Sequence, residues 1–311
     1  MMEKNEFITA LHNNDLSALS AIPKTDLHSH AGRGGHISYI EKWANATIEP
    51  PAKPFDSLAE MDRWFRATVK PHCPGVEGYI KRIEAAFAQA AADNIKHLAL
   101  SFGIDEVANL GSVQNFIRTI DTLHNRFAPN TLFHPDLSMG YSLSELDKID
   151  EILDANWFKG IDICNYNNRY TLAQLQQLCR RLKDKGLKLK AHVGEFDGAD
   201  HVMRYAEELE LDEIQHGVAA ATSPQIMHWL ANHQILLNVC PTSNVMLKVC
   251  SDYKTHPIRT LYDHGVSVTI NTDDLLIFNS TVSQEYLKLY QTGLMTAEEL
   301  NSIRENGLCN S

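Results

Sequence analysis

The chain has 311 residues, 44% of them hydrophobic, enough to bury a large core. A formal net charge of −11 argues against nucleic acid or an anionic membrane as the main partner. No apolar run reaches the length of a membrane span, and the six cysteines show no CxxC spacing, so a soluble cytoplasmic protein with reduced thiols is expected.

In chain order, the charged amino terminus (Glu3, Lys4, Glu6) leads to an apolar–polar alternation ending in Thr25-Asp26-Leu27-His28-Ser29-His30, the first predicted strand. His28 and His30 share one face of it, two residue rises or roughly 7 Å apart, so both reach one metal ion. Two histidines do not fill a coordination shell, and further ligands are required downstream.

A long connection over 31–78 follows. It opens with Gly32-Arg33-Gly34-Gly35 and is predicted to hold helices over about 36–44 and 56–69. The second helix puts Leu58, Met61, Phe65 and Val69 on one apolar stripe, with Trp64 beside it. Connections this long inside a compact domain are usually functional. Leu58, Met61, Trp64 and Phe65 are therefore expected to close over a substrate; the alternative is a satellite hydrophobic cluster under a long loop.

From Gly78 onward the pattern is regular. Helices over 79–93, 112–127, 144–156, 171–185, 199–209, 224–233 and 256–264 alternate with strands over 95–102, 130–138, 160–164, 187–192, 213–216, 235–240 and 266–271. Helices over 281–292 and 297–306 end the chain. With the first strand this makes eight strands, each followed by helix, which predicts a parallel sheet closed into a (β/α)8 barrel as one domain over 1–311. An open doubly wound sheet has the same alternation and is the alternative. The Gly32–Gly35 run is not GxGxxG, so a dinucleotide site is not expected.

In a barrel, catalytic residues come from the carboxyl ends of several strands. Those ends read His28 and His30, Lys190-Ala191-His192-Val193-Gly194-Glu195, Gln215-His216-Gly217 and Asn271-Thr272-Asp273-Asp274. His28, His30, His192 and Asp273 offer three imidazole nitrogens and a carboxylate, a set that suits one Zn2+ per chain and also admits Fe2+, Co2+ or Mn2+. Such an ion lowers the pKa of a bound water toward about 7. Asp273 is placed to take a proton from that water, and His216 to act as base or as a cation steadying the hydroxide. Glu195, if burial raises its pKa, can donate a proton to a substrate nitrogen. Asp274 points away from Asp273 and can hydrogen-bond the substrate. Gly194, Arg33 and Phe65 are the other substrate-side candidates. The remaining histidines are expected to be ordinary core or surface residues; His134, before Pro135-Asp136, is the best of them for a place at the mouth.

Thr25-Asp26-Leu27-His28-Ser29-His30, Ala191-His192-Val193-Gly194-Glu195, His216-Gly217, Cys240-Pro241-Thr242-Ser243-Asn244 and Asn271-Thr272-Asp273-Asp274 together resemble the adenosine deaminase family of the amidohydrolase superfamily, in order and in spacing. The resemblance implies a zinc barrel enzyme that adds hydroxide to the amino-bearing carbon of a purine and releases ammonia. On that pattern His28, His30, His192 and Asp273 hold zinc, Glu195 protonates the ring nitrogen beside the attacked carbon, His216 orients the hydroxide, and Asp274 contacts the imidazole side of the purine. The departures concern substrate. Adenosine-specific members usually follow the second histidine with Leu-Asp-Gly, whose Asp holds a ribose hydroxyl; here Ala31-Gly32-Arg33 stands there. A purine-side glycine is replaced by Asn165, and the proline after the Asp pair by Leu275. Adenosine is therefore one candidate among adenine, AMP, modified adenosines and other amino-heterocycles, and Arg33 is set to meet either an anionic group or only solvent.

Two rival readings remain. One is another hydrolase on this barrel; two-metal relatives carry a modified Lys at the end of the fourth strand, where this chain has Ile163-Cys164-Asn165-Tyr166, so one metal is favoured. The other is a catalytically silent barrel used for binding. The expected partner is a small molecule, with oligomeric state left open.

Overall fold

The computed structural model describes residues 2–140, 146–164 and 171–310. Eight short strands form its sheet: β1 (Lys24–His30), β2 (Ile95–Gly103), β3 (Leu132–Met139), β4 (Gly160–Ile163), β5 (Lys188–Val193), β6 (Glu213–His216), β7 (Leu236–Val239) and β8 (Val268–Ile270). They hydrogen-bond in sequence order and every adjacent pair is parallel. Alternate strand residues, such as Leu98 and Leu100 of β2, Leu189 and Ala191 of β5 and Ile214 of β6, join the apolar core under the covering helices, while the positions between them in β5 and β6 are polar.

The β8–β1 seam is closed by residues just beyond β8. The Asp273 amide donates to the His28 carbonyl (2.9 Å) and the His30 amide donates to the Asp273 carbonyl (3.2 Å). Below them, Asn271 Oδ1 accepts from the Leu27 amide (2.7 Å) and Asp26 Oδ1 accepts from the Thr272 amide (3.1 Å). The ring is thus sealed by the segments that carry the His-x-His and Asp-Asp motifs, and sealing it sets those side chains side by side.

The barrel interior is filled by paired polar groups as well as hydrocarbon. Lys190 is 2% exposed and lies between Asp136 Oδ2 (2.9 Å) and Glu213 Oε2 (3.5 Å). Asn238 donates to Glu213 (2.7 Å) and Gln215 (2.9 Å). Removing one member of a buried ion group strands its partners without water. Lys190→Met is therefore expected to cost about 3–5 kcal/mol in urea unfolding, whereas a loss below about 1 kcal/mol would mean the two carboxylates are satisfied without it.

Helices differ from expectation mainly where they are short. The stripe predicted as one helix over 56–69 is an α-helix, Leu58–Trp64, capped by Ser57 accepting from the Glu60 amide (3.2 Å), and then a π-helical turn, Phe65–Val69. Helices at Met2–His12, Leu16–Ala21, Ile104–Ala108, Pro241–Met246 and Leu275–Phe278 were not predicted. Most are too short for a 3.6-residue period to stand out, and the first packs Phe7 edge-to-face on Tyr286 (5.3 Å). The insertion has an apolar core of its own, in which Ile40, Met61, Phe65 and Val69 pack on Leu276, Ile277 and Phe278, directly after the Asp pair. No described helix is long and apolar enough to cross a membrane.

Candidate active site

A cavity of about 900 Å3 opens at the carboxyl ends of the strands. His30, His192, Glu195, His216, Asp273 and Asp274 line its inner end, and Arg33, Leu58, Met61 and Phe65 of the insertion line its outer wall. Residues from four strand ends, as far apart in sequence as 28 and 274, thus meet in one place.

Asp273 is the hub. Its Oδ1 lies 3.7 Å from His28 Nε2 and 3.2 Å from His30 Nε2, while Oδ2 accepts from Ser243 Oγ (2.6 Å). The rings of His28 and His192 are 4.8 Å apart between centres, those of His30 and His192 5.4 Å. One donor atom from each of His28, His30 and His192 falls within 4.8 Å of the others. His28 Nδ1 faces the Asn238 carbonyl (3.4 Å), which orients its proton there and leaves Nε2 as a bare lone pair. That Nε2 is buried and has no hydrogen-bond partner among the described residues, Asp273 Oδ1 lying beyond hydrogen-bond distance at 3.7 Å. A buried acceptor in that state is costly, and a cation bound by it removes the cost. The donor set fits a divalent ion of the zinc type.

His216 stands beside this cluster, its ring 4.7 Å from that of His28. Asn244 Nδ2 lies 3.2 Å from His216 Nδ1, and Asn244 Oδ1 lies 3.3 Å from His256 Nε2. The Ile258 amide donates to His256 Nδ1 (3.1 Å). Read as one network, His256 donates to Asn244 and Asn244 donates to His216, so the His216 proton sits on Nε2, facing Glu195 Oε2 at 3.5 Å. Burial lowers the His216 pKa to about 3, so it stays neutral across the physiological range.

Glu195 has the opposite shift. Burial first, and then the nearby Asp273 carboxylate, raise its pKa to about 8. It reaches the cavity because Gly194 turns the chain with φ +72°; a Cβ there would collide with Val202 Cγ2. Gly194 therefore acts through its backbone and is not part of the cavity lining. His216 and Asp273 also hold positive φ, 63° and 60°, which is uncommon for non-glycine residues.

The substrate-side candidates divide. Asp274 lines the cavity; its Oδ2 accepts from Arg33 Nη1 (3.0 Å), and its Oδ1 is buried without a partner among the described residues. Arg33 also reaches Asp62 Oδ1 (3.1 Å) and lies over the Phe65 ring at 4.8 Å, so it is neither a solvated turn residue nor free to pair with an anion alone. Phe65 is 2% exposed and lines the cavity. Asn165 lies outside the described residues. His134 falls in the first half of β3 against Asp136 (3.0 Å), well before the mouth end of that strand.

Several participants were not singled out from sequence. Asp162 of β4 accepts from Ser101 (2.6 Å) and faces His192 Nε2 (3.3 Å), with burial opposed by His192 and the other imidazoles, which together hold its carboxyl far below the usual range. The available signal was a lone charge inside the apolar strand Gly160-Ile161-Asp162-Ile163. Glu106 and Arg82 also line the cavity and had no motif to mark them.

Comparison with known proteins follows the same lines. The sequence profile of the adenosine deaminase family matches residues 159–311. A protein of Treponema pallidum, provisionally named adenosine/adenine deaminase, is 29% identical over 290 residues, covering 91% of this chain and 97% of its own. The crystal structure of adenine deaminase from Arthrobacter aurescens superposes with a TM-score of 0.77 at 19% identity, covering 93% of each chain. That of an amidohydrolase from Burkholderia ambifaria with bound Zn gives 0.75 at 20% identity, covering 98% of this chain and 88% of the other.

Proposed function

We propose that the chain, which matches the adenosine deaminase family over residues 159–311 and a provisionally named adenosine/adenine deaminase over most of its length, is a zinc-dependent hydrolytic deaminase that acts on the exocyclic amine of an aminopurine nucleoside or a close relative of one. The observation that carries this reading is the opposed pair at the inner end of the cavity: a carboxyl raised to about 8 facing a neutral imidazole, both beside the His/Asp cluster. The overall change is water plus R–NH2 giving R–OH, the tautomer of the ring-carbonyl product, and ammonia.

His28, His30, His192 and Asp273 would hold zinc, which when bound would supply Lewis acidity to activate water near neutral pH. Glu195, protonated below about 8, gives its proton to the ring nitrogen beside the attacked carbon, which makes that carbon electrophilic. His216, its Nε2 proton fixed through Asn244, orients the attacking oxygen, and Asp273 accepts the proton that water loses. Asp274, its Oδ2 held by Arg33, leaves Oδ1 without a hydrogen-bond partner among the described residues and available to contact the far side of the base. The insertion over 31–78 covers the base and keeps bulk water out. Phe65→Ala is accordingly expected to raise KM as well as to cost about 3–5 kcal/mol of stability; a stability loss with KM unmoved would leave Phe65 as core alone.

The decisive experiment is an ammonia-release screen over adenosine, deoxyadenosine, adenine and AMP with zinc supplied, together with metal analysis. Turnover of at least one compound with one metal per chain is expected. Silence across the whole panel in metal-loaded protein would favour a barrel used for binding, and two metals per chain would favour a different hydrolase.

A further inference from the structure

Four basic side chains gather on the outer cavity wall around Phe65, in a cavity that six carboxylates also line. Acidic residues outnumber basic ones 39 to 28 overall, yet Arg33, Arg66, Lys70 and Arg82 all line this one opening. Three of them crowd a single ring: the Arg33 guanidinium, the Lys70 ammonium and the Arg82 guanidinium lie 4.8, 5.8 and 5.8 Å from the centre of Phe65. Contact with the ring offsets part of the mutual repulsion, but at about 0.5–2 kcal/mol per cation it does not supply a counter-charge.

The carboxylates nearby are already used. Asp62 bridges Arg33 Nη2 (3.1 Å) and Arg66 Nε (2.6 Å), and Asp274 takes Arg33 Nη1 (3.0 Å). Among the described residues no carboxylate lies within ion-pair distance of Lys70 or Arg82. Arg82 is nearly buried and pinned by neutral acceptors, the carbonyls of Gly32 (2.8 Å) and Cys73 (3.1 Å). Lys70 is exposed at the rim, its pKa lowered by partial burial and then by Arg82, Arg66 and Arg33. The cluster is prearranged; the buried Glu106 carboxyl also lines the cavity and feels Arg82 and Arg33, but it forms no ion pair with Arg82 and burial raises its pKa, and the cluster shares one continuous cavity with Glu195 and Asp273.

We propose that this outer half is an anion subsite, in which Lys70 and Arg82, flanked by Arg33 and Arg66, hold a phosphoryl or carboxylate group carried by the substrate beyond its base. The inference rests on the deaminase reading for the word substrate, and deepens it by naming the charge that substrate bears. A rigid guanidinium suits an oxyanion in the interior, and a flexible ammonium at the rim meets it as it enters.

The test compares adenosine with AMP and with adenosine 5′-carboxylate, in the wild type and in Lys70→Gln, a rim substitution with no packing to lose. The expected result is a kcat/KM ratio, charged over neutral, of at least about 10 in the wild type, reduced about tenfold in Lys70→Gln, as for loss of one charged hydrogen bond. The better of the two charged compounds identifies the group as phosphoryl or carboxylate. Binding of inorganic phosphate, measured by calorimetry in both proteins, reads the subsite without turnover. Phosphate binding that weakens in Lys70→Gln, with no compound deaminated, keeps the subsite and overturns the deaminase reading. Deamination with a ratio near or below one in both proteins, and phosphate affinity unaffected by Lys70→Gln, overturns the subsite and leaves the deaminase reading standing.

Discussion

Glu195→Gln is expected to lower kcat by about 10²-fold or more while leaving bound metal at the wild-type level, because general acid assistance is typically worth 10²–10⁴. The amide keeps the shape and can still donate a hydrogen bond, but it has no proton to transfer. The pH profile carries a second signature. The carboxyl is protonated below about 8, so the acid is present at neutral pH and is lost as pH rises through that value. Wild-type kcat/KM should therefore fall above pH 8, and the residual activity of the variant should lack that limb. Stability follows the same sign. A carboxyl whose folded-state pKa lies above its unfolded value of about 4.3 keeps its proton in the folded chain while the unfolded chain releases it, so between those values stability falls as pH rises. Glu195→Gln removes that slope. Near-wild-type turnover in the variant would sink the mechanism, whatever the metal content.

What the sequence made legible, and what it did not, has a physical pattern. Strand ends were readable because a parallel barrel points all of them one way, so His28, His30, His192, His216 and the Asp pair could be gathered without knowing a single distance. The strand and helix alternation was readable because buried strands are short apolar runs and the covering helices keep a 3.6-residue period. Contacts across the mouth were not. Arg33 and Asp274 stand 241 positions apart, and nothing local in Gly32-Arg33-Gly34 says that the guanidinium turns inward to a carboxylate of the eighth strand end. The same holds for the relay behind His216. His256 read as an ordinary core histidine, and it is one by burial, yet it orients Asn244 and through it the proton on His216. In the insertion, periodicity placed Leu58, Met61 and Phe65 on one stripe, and all three line the cavity; what it could not show is that the helix passes into a π-helical turn at Phe65–Val69.

His192→Ala is expected to abolish metal binding before it affects anything else, and its comparison with His216→Ala decides where the cation sits. The imidazoles are close enough that more than one donor set is geometrically open. His28, His30 and His192 form one cluster, and His216 closes a second with His28 and Cys240 and a third with His192 and Glu195. The first is favoured because the orphaned Nε2 of His28 and Asp273 Oδ1 are 3.7 Å apart, and because the His216 Nδ1 already accepts from Asn244 while its Nε2 carries a proton. A protonated ring nitrogen is no ligand. His192→Ala should thus leave protein that retains little zinc after dialysis and gains no thermal stability when zinc is added back, since a site that no longer binds cannot shift the folding equilibrium. His216→Ala should keep one metal per chain and still lose about 10²-fold or more in kcat, for want of the group that orients the attacking oxygen. If His216→Ala instead strips the metal while His192→Ala retains it, the ion lies one imidazole further round the barrel mouth, and Asp273 becomes the base alone.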